Sequence, residues 1–509
     1  MIRLRQGHHD AEVVIAGAGP AGAAAAAHLA RAGIPVTLLD QSRFPRDKVC
    51  GDFVSPVALD ELRVLGVTRS ADYAASNQIN SAALYLDGER LLTRPFPAKP
   101  GLPPYGRVIP RERLDAWVVE AARRAGARIL EGVRVTGYAM EPGGVRVDAV
   151  ANDKPTSFRA RLLIGADGST SLIGKQLRGY KLEPKDRIVA IRAYYRKVRG
   201  AFDQADIYFS AASFPGYYWV FPTGEGTANV GVGVALDTLP PSEVKLKELL
   251  QHLVDSDPCL RDRLGEGELV GKIVGWPLAT YNPALPLAAD RVMLVGDAAN
   301  LINPINGEGI QTALLSGRWA AEVVAAAREE DYAAAALATY TTKVENELRY
   351  DMALSCFLVQ CIRNSTLNPL WLRALRVIAE RARKDEVYAD IAGGILAGVV
   401  PASSALSPRL VLGTLQQAVM SLGSFIGGPL ALAETGIAMA QLGGQVLRSA
   451  FRDPQSWARW VLRTAGSAAE LAGQATLGLR TAPPPRPAPV LASAEPRFLL
   501  SGLPVEAHP

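Results

Sequence analysis

Two short stretches of this chain carry residue types that do chemistry. The first is FPRDKVCGDFVSP, residues 44–56, where Cys50 lies two residues from Asp52 and two from Lys48. A thiol donates a proton when its surroundings keep it neutral and attacks as a nucleophile when they favour the thiolate. A neighbouring carboxyl is either a turn-forming acid or a proton relay. The second stretch is FPGYYWVFPTGEGTANVGVGV, residues 214–234. Alternation along a strand places Tyr217, Trp219 and Phe221 on one face. Such a face is either a wall for an apolar ligand or ordinary core packing. The remaining cysteines, Cys259, Cys356 and Cys361, form no CxxC with Cys50 or with each other. Cys356 and Cys361 are five apart, off the three and four spacing of one helix face, so neither a metal site nor a disulfide framework is expected. The histidines His8, His9, His28, His252 and His508 form no cluster.

Both stretches need a scaffold, and EVVIAGAGPAGAAAAAHLARAGIPVTLLD, residues 12–40, supplies its first part. Val13–Ala16 reads as a buried parallel strand. Gly17, Gly19 and Gly22 follow as G-x-G-x-x-G, with Ala21 inside the turn. Ala23–Ala32 is a strong helix former, Gly33 ends it, and a second strand ends on Asp40. The first glycine permits the tight turn, the second lets a pyrophosphate approach, and the third lets helix and strand pack. The helix N-terminus then faces the phosphates with free N–H groups. Asp40, 18 residues beyond Gly22, stands where an acid bonds a ribose hydroxyl. Strand, turn, helix, strand and acid together predict dinucleotide binding.

Two later segments narrow the cofactor. RLLIGADGSTSLIGKQL is a strand followed by Asp167-Gly168, and DRVMLVGDAANLINPINGEGIQTALLSGRWAAEVV is another ending in Gly296-Asp297. Pro304, Gly307, Gly309 and Ile310 then open a long amphipathic helix. Together these motifs resemble the FAD-dependent oxidoreductases of the aromatic-hydroxylase fold type. The resemblance implies that Asp297 meets the flavin's ribityl chain. It also implies that the following helix aims its N-terminus at the pyrimidine edge, where negative charge collects on reduction. It further places Arg111 and Val135, in VIPRERLDAWVVEAARRAGARILEGVRV, at the cofactor; a solvated charge at a helix start is the other reading of Arg111. Lys48, Cys50 and Gly51 join this cofactor set through the KVCGD loop. That loop, the Y-x-W-x-F-P pattern at Tyr217–Pro222 and GWPL at 275–278 resemble the geranylgeranyl reductase family. The resemblance implies hydride delivery from reduced FAD to a C=C bond of a prenyl or other lipophilic substrate. Cys50 and Asp52 are then the candidate catalytic residues, and Tyr217, Trp219 and Phe221 the candidate substrate wall. Cys50 as a small packing residue stays open beside this.

Three alternatives remain. An FAD monooxygenase, hydroxylating or epoxidising a lipophilic molecule, would use the same scaffold. A flavin-dependent halogenase would need a lysine on the helix after the KVCGD-like loop, and no lysine occurs from Val49 to Ala98. A non-enzymatic flavin-bound membrane or carrier-binding module is the third. No second glycine fingerprint is present, so the electron donor is left between NAD(P)H, ferredoxin and another carrier.

The expected class is α/β: a Rossmann-like FAD-binding domain with an inserted antiparallel β-sheet substrate domain and a C-terminal helical region. The FAD-binding parts fall at 10–80, 106–180 and 276–340, and the substrate-domain parts at 81–105 and 181–275. A helical region spans 341–480, and a Pro-rich tail at 481–509 is expected to be disordered. Net charge is +5 over 509 residues, too dilute to indicate nucleic acid. MIRLRQGHHD has no apolar core, so no secretory signal is expected and a cytoplasmic setting follows. Ile391–Pro408 and Leu410–Ala433 are uncharged, but glycines, polar residues and Pro429 favour buried or channel-lining helices over a membrane span. Trp457 and Trp460 near Arg452, Arg459 and Arg463 suggest peripheral membrane contact.

Overall fold

A computed structural model describes residues 9–224, 226–238, 246–400, 404, 407–424 and 429–480. The Pro-rich tail lies outside the described residues.

Ala11–Ala16 is buried along its whole length, because it runs between two parallel neighbours. The order across this sheet is Ala288–Ala289, Val292–Leu294, Lys154–Gly165, Ala11–Ala16, Val36–Asp40 and Arg128–Glu131. All contacts from Val292–Leu294 to Arg128–Glu131 are parallel. The strands Val133–Glu141 and Gly144–Ala151 continue from Lys154–Gly165 as an antiparallel extension. Helix Pro20–Arg31 packs between helices Arg111–Ala125 and Ile310–Ala326. Gly317 makes the approach to Ile310–Ala326 possible: a Cβ there would stand 2.4 Å from the Ala21 carbonyl oxygen. That closeness carries the loop before Ile310 to the first glycine turn, so segments nearly 300 residues apart in sequence share one site.

A second sheet is ordered Glu268–Ala279, Arg187–Arg196, Thr227–Ala235, Tyr217–Gly224, Gln204–Phe209, Ser81–Leu86 and Glu89–Pro95. It is antiparallel except where Gln204–Phe209 runs parallel to Ser81–Leu86. Its far face is covered by helices Leu246–Ser256 and Pro258–Leu264 and buries Tyr85, Tyr208 and Tyr218. Those rings stack with centroids 4.4 and 5.0 Å apart. Because side chains alternate, Tyr217, Trp219 and Phe221 must face the opposite way. A small sheet of Phe53–Val54, Gly106–Val108 and Asn77–Ile79 joins the two layers.

From Ala334 onward the described chain is helical. Helix Asn368–Lys384 lies on the outer strand of the second sheet, where Arg383 donates to the Leu91 carbonyl and Arg94 to that of Ala382. Among the described residues no helix is long and apolar enough to cross a membrane. The α/β architecture with an inserted sheet and C-terminal helices is the class the sequence predicts.

Candidate active site

The three glycines of the first turn do different work. A Cβ on Gly22 would stand 1.9 Å from the Gly17 carbonyl oxygen, and one on Gly17 (φ +107°) 2.3 Å from that of Ala166. Both are excluded by backbone packing. Gly19 faces open space, its nearest neighbour being Arg46 Nη2 at 4.0 Å. Ala21 is buried against the third motif, where a Cβ on Gly296 would meet its methyl at 2.8 Å. Lys48 Nζ lies 3.9 Å from the Cβ position of Gly168 and 3.5 Å from Asp297 Oδ2. Arg46 therefore overhangs an open glycine turn at the N-terminus of helix Pro20–Arg31, while Lys48 stands over the second and third motifs. That is the charge and shape a pyrophosphate requires, so the residues present fit FAD.

The acids divide in the same way. Asp40 accepts from Ala18 N at 2.7 Å and Ser42 N at 2.8 Å, so it braces the turn from the end of its strand. Asp167 caps helix Leu172–Arg178, accepting from Ser171 Oγ, Leu172 N and Ile173 N. Asp297 accepts from Ser169 Oγ at 2.9 Å and faces Gly309. Gly296 N donates to Ser316 Oγ, which ties this motif to helix Ile310–Ala326. Pro304 and Ile310 are buried, and Gly307 (φ +69°) turns the loop beside the Tyr217 hydroxyl. Val135 is half-buried on its strand, opposite Ala149, in the extension beyond the strand paired with Asp40.

Arg111 is not a solvated charge. It is buried and holds Asp115 by two bonds of 2.7 Å, while Arg46 reaches the same carboxylate at 3.0 Å. The guanidinium also lies against the Cys50 thiol. Burial pushes the Cys50 thiol up, against the pull of Arg111, so it stays protonated at neutral pH.

Gly51 lies on the aromatic face: its Cβ position is 3.3 Å from Phe221 and 3.5 Å from Trp219. Tyr217, Trp219, Phe221, Phe53 and Phe96 form one row, with neighbouring centroids 5.7 to 6.0 Å apart. Ala397 packs on the Phe53–Phe96–Phe221 end. Trp219 Nε1 donates to Asn229 Oδ1 at 2.9 Å, and Asn229 Nδ2 donates to the Cys50 carbonyl at 2.7 Å and Asp52 Oδ2 at 2.8 Å. Tyr194 donates to the same Asp52 oxygen at 2.5 Å. Asp52 is 0% exposed, adopts φ +64°, and its Oδ1 has no partner among the described residues. Burial outweighs Tyr194, Asn229 and the arginines, and holds its carboxyl up at about 6.

Sequence reasoning missed three members of this site. Tyr194 and Asn229 sit on neighbouring strands of the second sheet, and nothing local marks them. Glu308 was visible only as part of a glycine loop. It lies close to Ser55, to Tyr217 and to the backbone of Gly398, and burial pushes it up to about 7. A carboxyl between two glycines was the available signal.

A glycine cradle for a dinucleotide, set against a half-buried thiol and an aromatic wall, defines an FAD-dependent oxidoreductase. The family model described as FAD binding domain matches residues 10–348. The menaquinone reductase of Mycolicibacterium smegmatis is 35% identical over 338 residues, 64% of this chain and 79% of its own length. Digeranylgeranylglycerophospholipid reductase 1 of Methanopyrus kandleri is 34% identical over 352 residues, 66% of this chain and 87% of its own. The chain belongs to the geranylgeranyl reductase family of FAD-dependent oxidoreductases. In fold it resembles a geranylgeranyl bacteriochlorophyll reductase-like protein of Thermoplasma acidophilum, with TM-score 0.62 and 24% identity over 80% of this chain and 95% of the other. A flavin-dependent brominase shares the fold at TM-score 0.64 and 18% identity, over 81% and 99% of the two chains.

Proposed function

We propose that the protein reduces a carbon–carbon double bond of a prenyl or other lipophilic substrate held along the Tyr217–Trp219–Phe221 row. The observation that carries this reading is the placement of the Cys50–Asp52 loop. It sets a neutral thiol and a buried carboxyl against an aromatic wall, next to the glycine cradle. FAD, bound by Gly17–Gly22, Arg46, Lys48 and the Gly307–Ile310 loop, supplies the hydride when reduced.

The chain's own residues do the rest. An isolated alkene accepts hydride poorly unless it is held in a dry pocket and a proton is at hand. The aromatic row excludes water and orients the apolar chain. Asn229 fixes the Cys50–Asp52 loop to Trp219, so loop and wall move as one unit. Cys50 Sγ holds a proton in reach of the site, and it accepts the Asp52 N–H at 3.3 Å. Beside it Asp52, its carboxyl held at about 6, takes up and passes on a proton, and the half-buried Tyr194 phenol connects that carboxyl outward. Peripheral membrane contact through the C-terminal helices belongs to the same reading, because such a substrate resides in lipid.

Anaerobic reduction of the bound flavin followed by substrate addition tests this. Reoxidation by a prenylated substrate without oxygen, with a reduced double bond in the product, supports it. An absolute requirement for oxygen, or an oxygenated product, overturns it.

A further inference from the structure

The C-terminal helices leave one surface that the site does not explain. Leu447 and Phe451 stand one turn apart at the end of helix Pro429–Arg452 and are 60% and 84% exposed. The chain turns at Asp453 and continues as helix Pro454–Arg480. There Ala458, Val461, Leu462, Ala465 and Ala469 form an exposed stripe at three and four residue spacing, with Leu462 72% exposed. The stripe is not the inner face of the helix. Trp457 and Trp460 occupy that face, with rings 5.6 Å apart edge to face. Their indole N–H groups donate to Ser449 Oγ at 3.1 Å and the Gln360 carbonyl at 3.0 Å. Trp460 therefore fastens the hairpin to the body and Trp457 ties its two helices together, so both indoles pack inward.

Charge accompanies the apolar stripe. From Leu447 to Arg463 there are four arginines, Arg448, Arg452, Arg459 and Arg463, against the single Asp453. All four are exposed, and none has a carboxylate partner among the described residues. Asp453 is engaged at the helix start, accepting from Ser456 N at 2.9 Å. Apolar side chains ringed by unpaired arginines fit the boundary between acyl chains and anionic headgroups.

The surface also lies toward one end of the substrate wall. Ser449 bonds Thr366 at 3.1 Å, and Asn368, two residues on, donates to the Phe214 carbonyl at 3.3 Å. Phe214 meets Phe209, and Phe209 meets Tyr217, through tilted rings with centroids 6.5 and 6.1 Å apart. The opposite end of the row is covered by Ala397. This hairpin follows residue 348, beyond the part matched by the family model.

We propose that the hairpin tip Leu447–Arg463 docks on an anionic bilayer surface and presents the Phe214 end of the aromatic row to lipid. The lipid route rests on the proposed lipophilic substrate, whereas docking itself is measured on the resting flavoprotein without substrate. Co-sedimentation uses phosphatidylcholine vesicles with and without phosphatidylglycerol. Binding is expected only with phosphatidylglycerol and weakens as salt rises. Replacing two arginines (R452Q/R459Q) lowers partitioning roughly 30-fold, at about one kcal/mol per charge. Phe451→Ser with Leu462→Ser abolishes binding while flavin content, helicity and turnover of a detergent-dispersed substrate are kept. Equal binding to both vesicles, or wild-type binding by either double variant, overturns the proposal. So does a two-chain particle in light scattering that F451S/L462S splits into single chains, which assigns the patch to a second copy.

Discussion

Asp52→Asn separates what Asp52 does for the reaction from what it costs the fold. Asp52 is wholly buried, and its Oδ2 accepts from Tyr194 and Asn229. An asparagine oxygen can accept the same two bonds, and asparagine is among the few residues that tolerate φ near +64°. Only the charge is removed. The carboxyl is pushed up to about 6 from an ordinary 3.8. At about 1.4 kcal/mol per pH unit, its ionised form costs the fold about 3 kcal/mol. An acid raised in the folded state takes up its proton there before it does in the unfolded chain. Wild-type stability therefore falls as pH rises from the ordinary value through the raised one, and the full cost is present above it. Asp52→Asn should then be more stable than wild type at pH ~8, by up to about 3 kcal/mol, and nearly equal to it at pH ~4. Urea unfolding of the purified flavoprotein at the two pH values reads this difference. Turnover should drop on the order of 100-fold if Asp52 supplies or relays a proton. An equal stability change at both pH values would refute the strained carboxylate. Wild-type turnover would remove Asp52 from proton delivery.

Gly19→Ala and Gly22→Ala should part company. The first meets nothing closer than 4.0 Å, so the protein should fold normally and lose flavin affinity, whereas the second drives a methyl to 1.9 Å of a carbonyl oxygen and should destabilise the whole unit. Flavin titration with thermal unfolding checks both, and a Gly19→Ala protein that keeps full flavin affinity would show the open space is not the phosphate seat. Cys50→Ser keeps a proton on a similar small side chain, while Cys50→Ala removes it. Steady-state kinetics should show partial activity in the first and a loss of about 100-fold in the second, and equal turnover in both, with flavin retained, assigns Cys50 to packing. Glu308→Gln fixes the neutral form of a carboxyl that burial holds at about 7. The decline in wild-type thermal stability as pH rises from the ordinary glutamate value through about 7 should shrink in the variant, and superimposable pH profiles would count against a desolvated Glu308 carboxyl.

The first strand, glycine turn, helix and second strand were legible because their signal is local. The residues that form the unit itself lie within 30 positions of one another, and turn, helix and strand chemistry mark it without reference to the rest of the chain. The one-sided aromatic row was legible for the same reason, since alternation dictates that Tyr217, Trp219 and Phe221 share a face. What that face meets was not. Asn229 reaches the Cys50 carbonyl across 179 positions, and Tyr194 reaches Asp52 across 142. Sequence periodicity carries no term for such distances.

The same limit governs charge. Residue type alone leaves Arg111 either solvated or functional, and Asp52 either a turn acid or a relay. Burial against Asp115 and Cys50 decides the first. Burial beside Tyr194 and Asn229 raises the second toward neutral pH. The sequence by itself determined that a dinucleotide-binding unit is present, which glycines form its turn, and that a thiol, a carboxyl and three aromatic rings belong to two short stretches. Only the tertiary structure decided that the thiol stays protonated and that the carboxyl is held at about 6, that Trp219 and the Cys50 loop are one unit, and that Trp457 and Trp460 point inward. Protonation and contact depend on desolvation by residues remote in sequence, and desolvation exists only once the chain has packed.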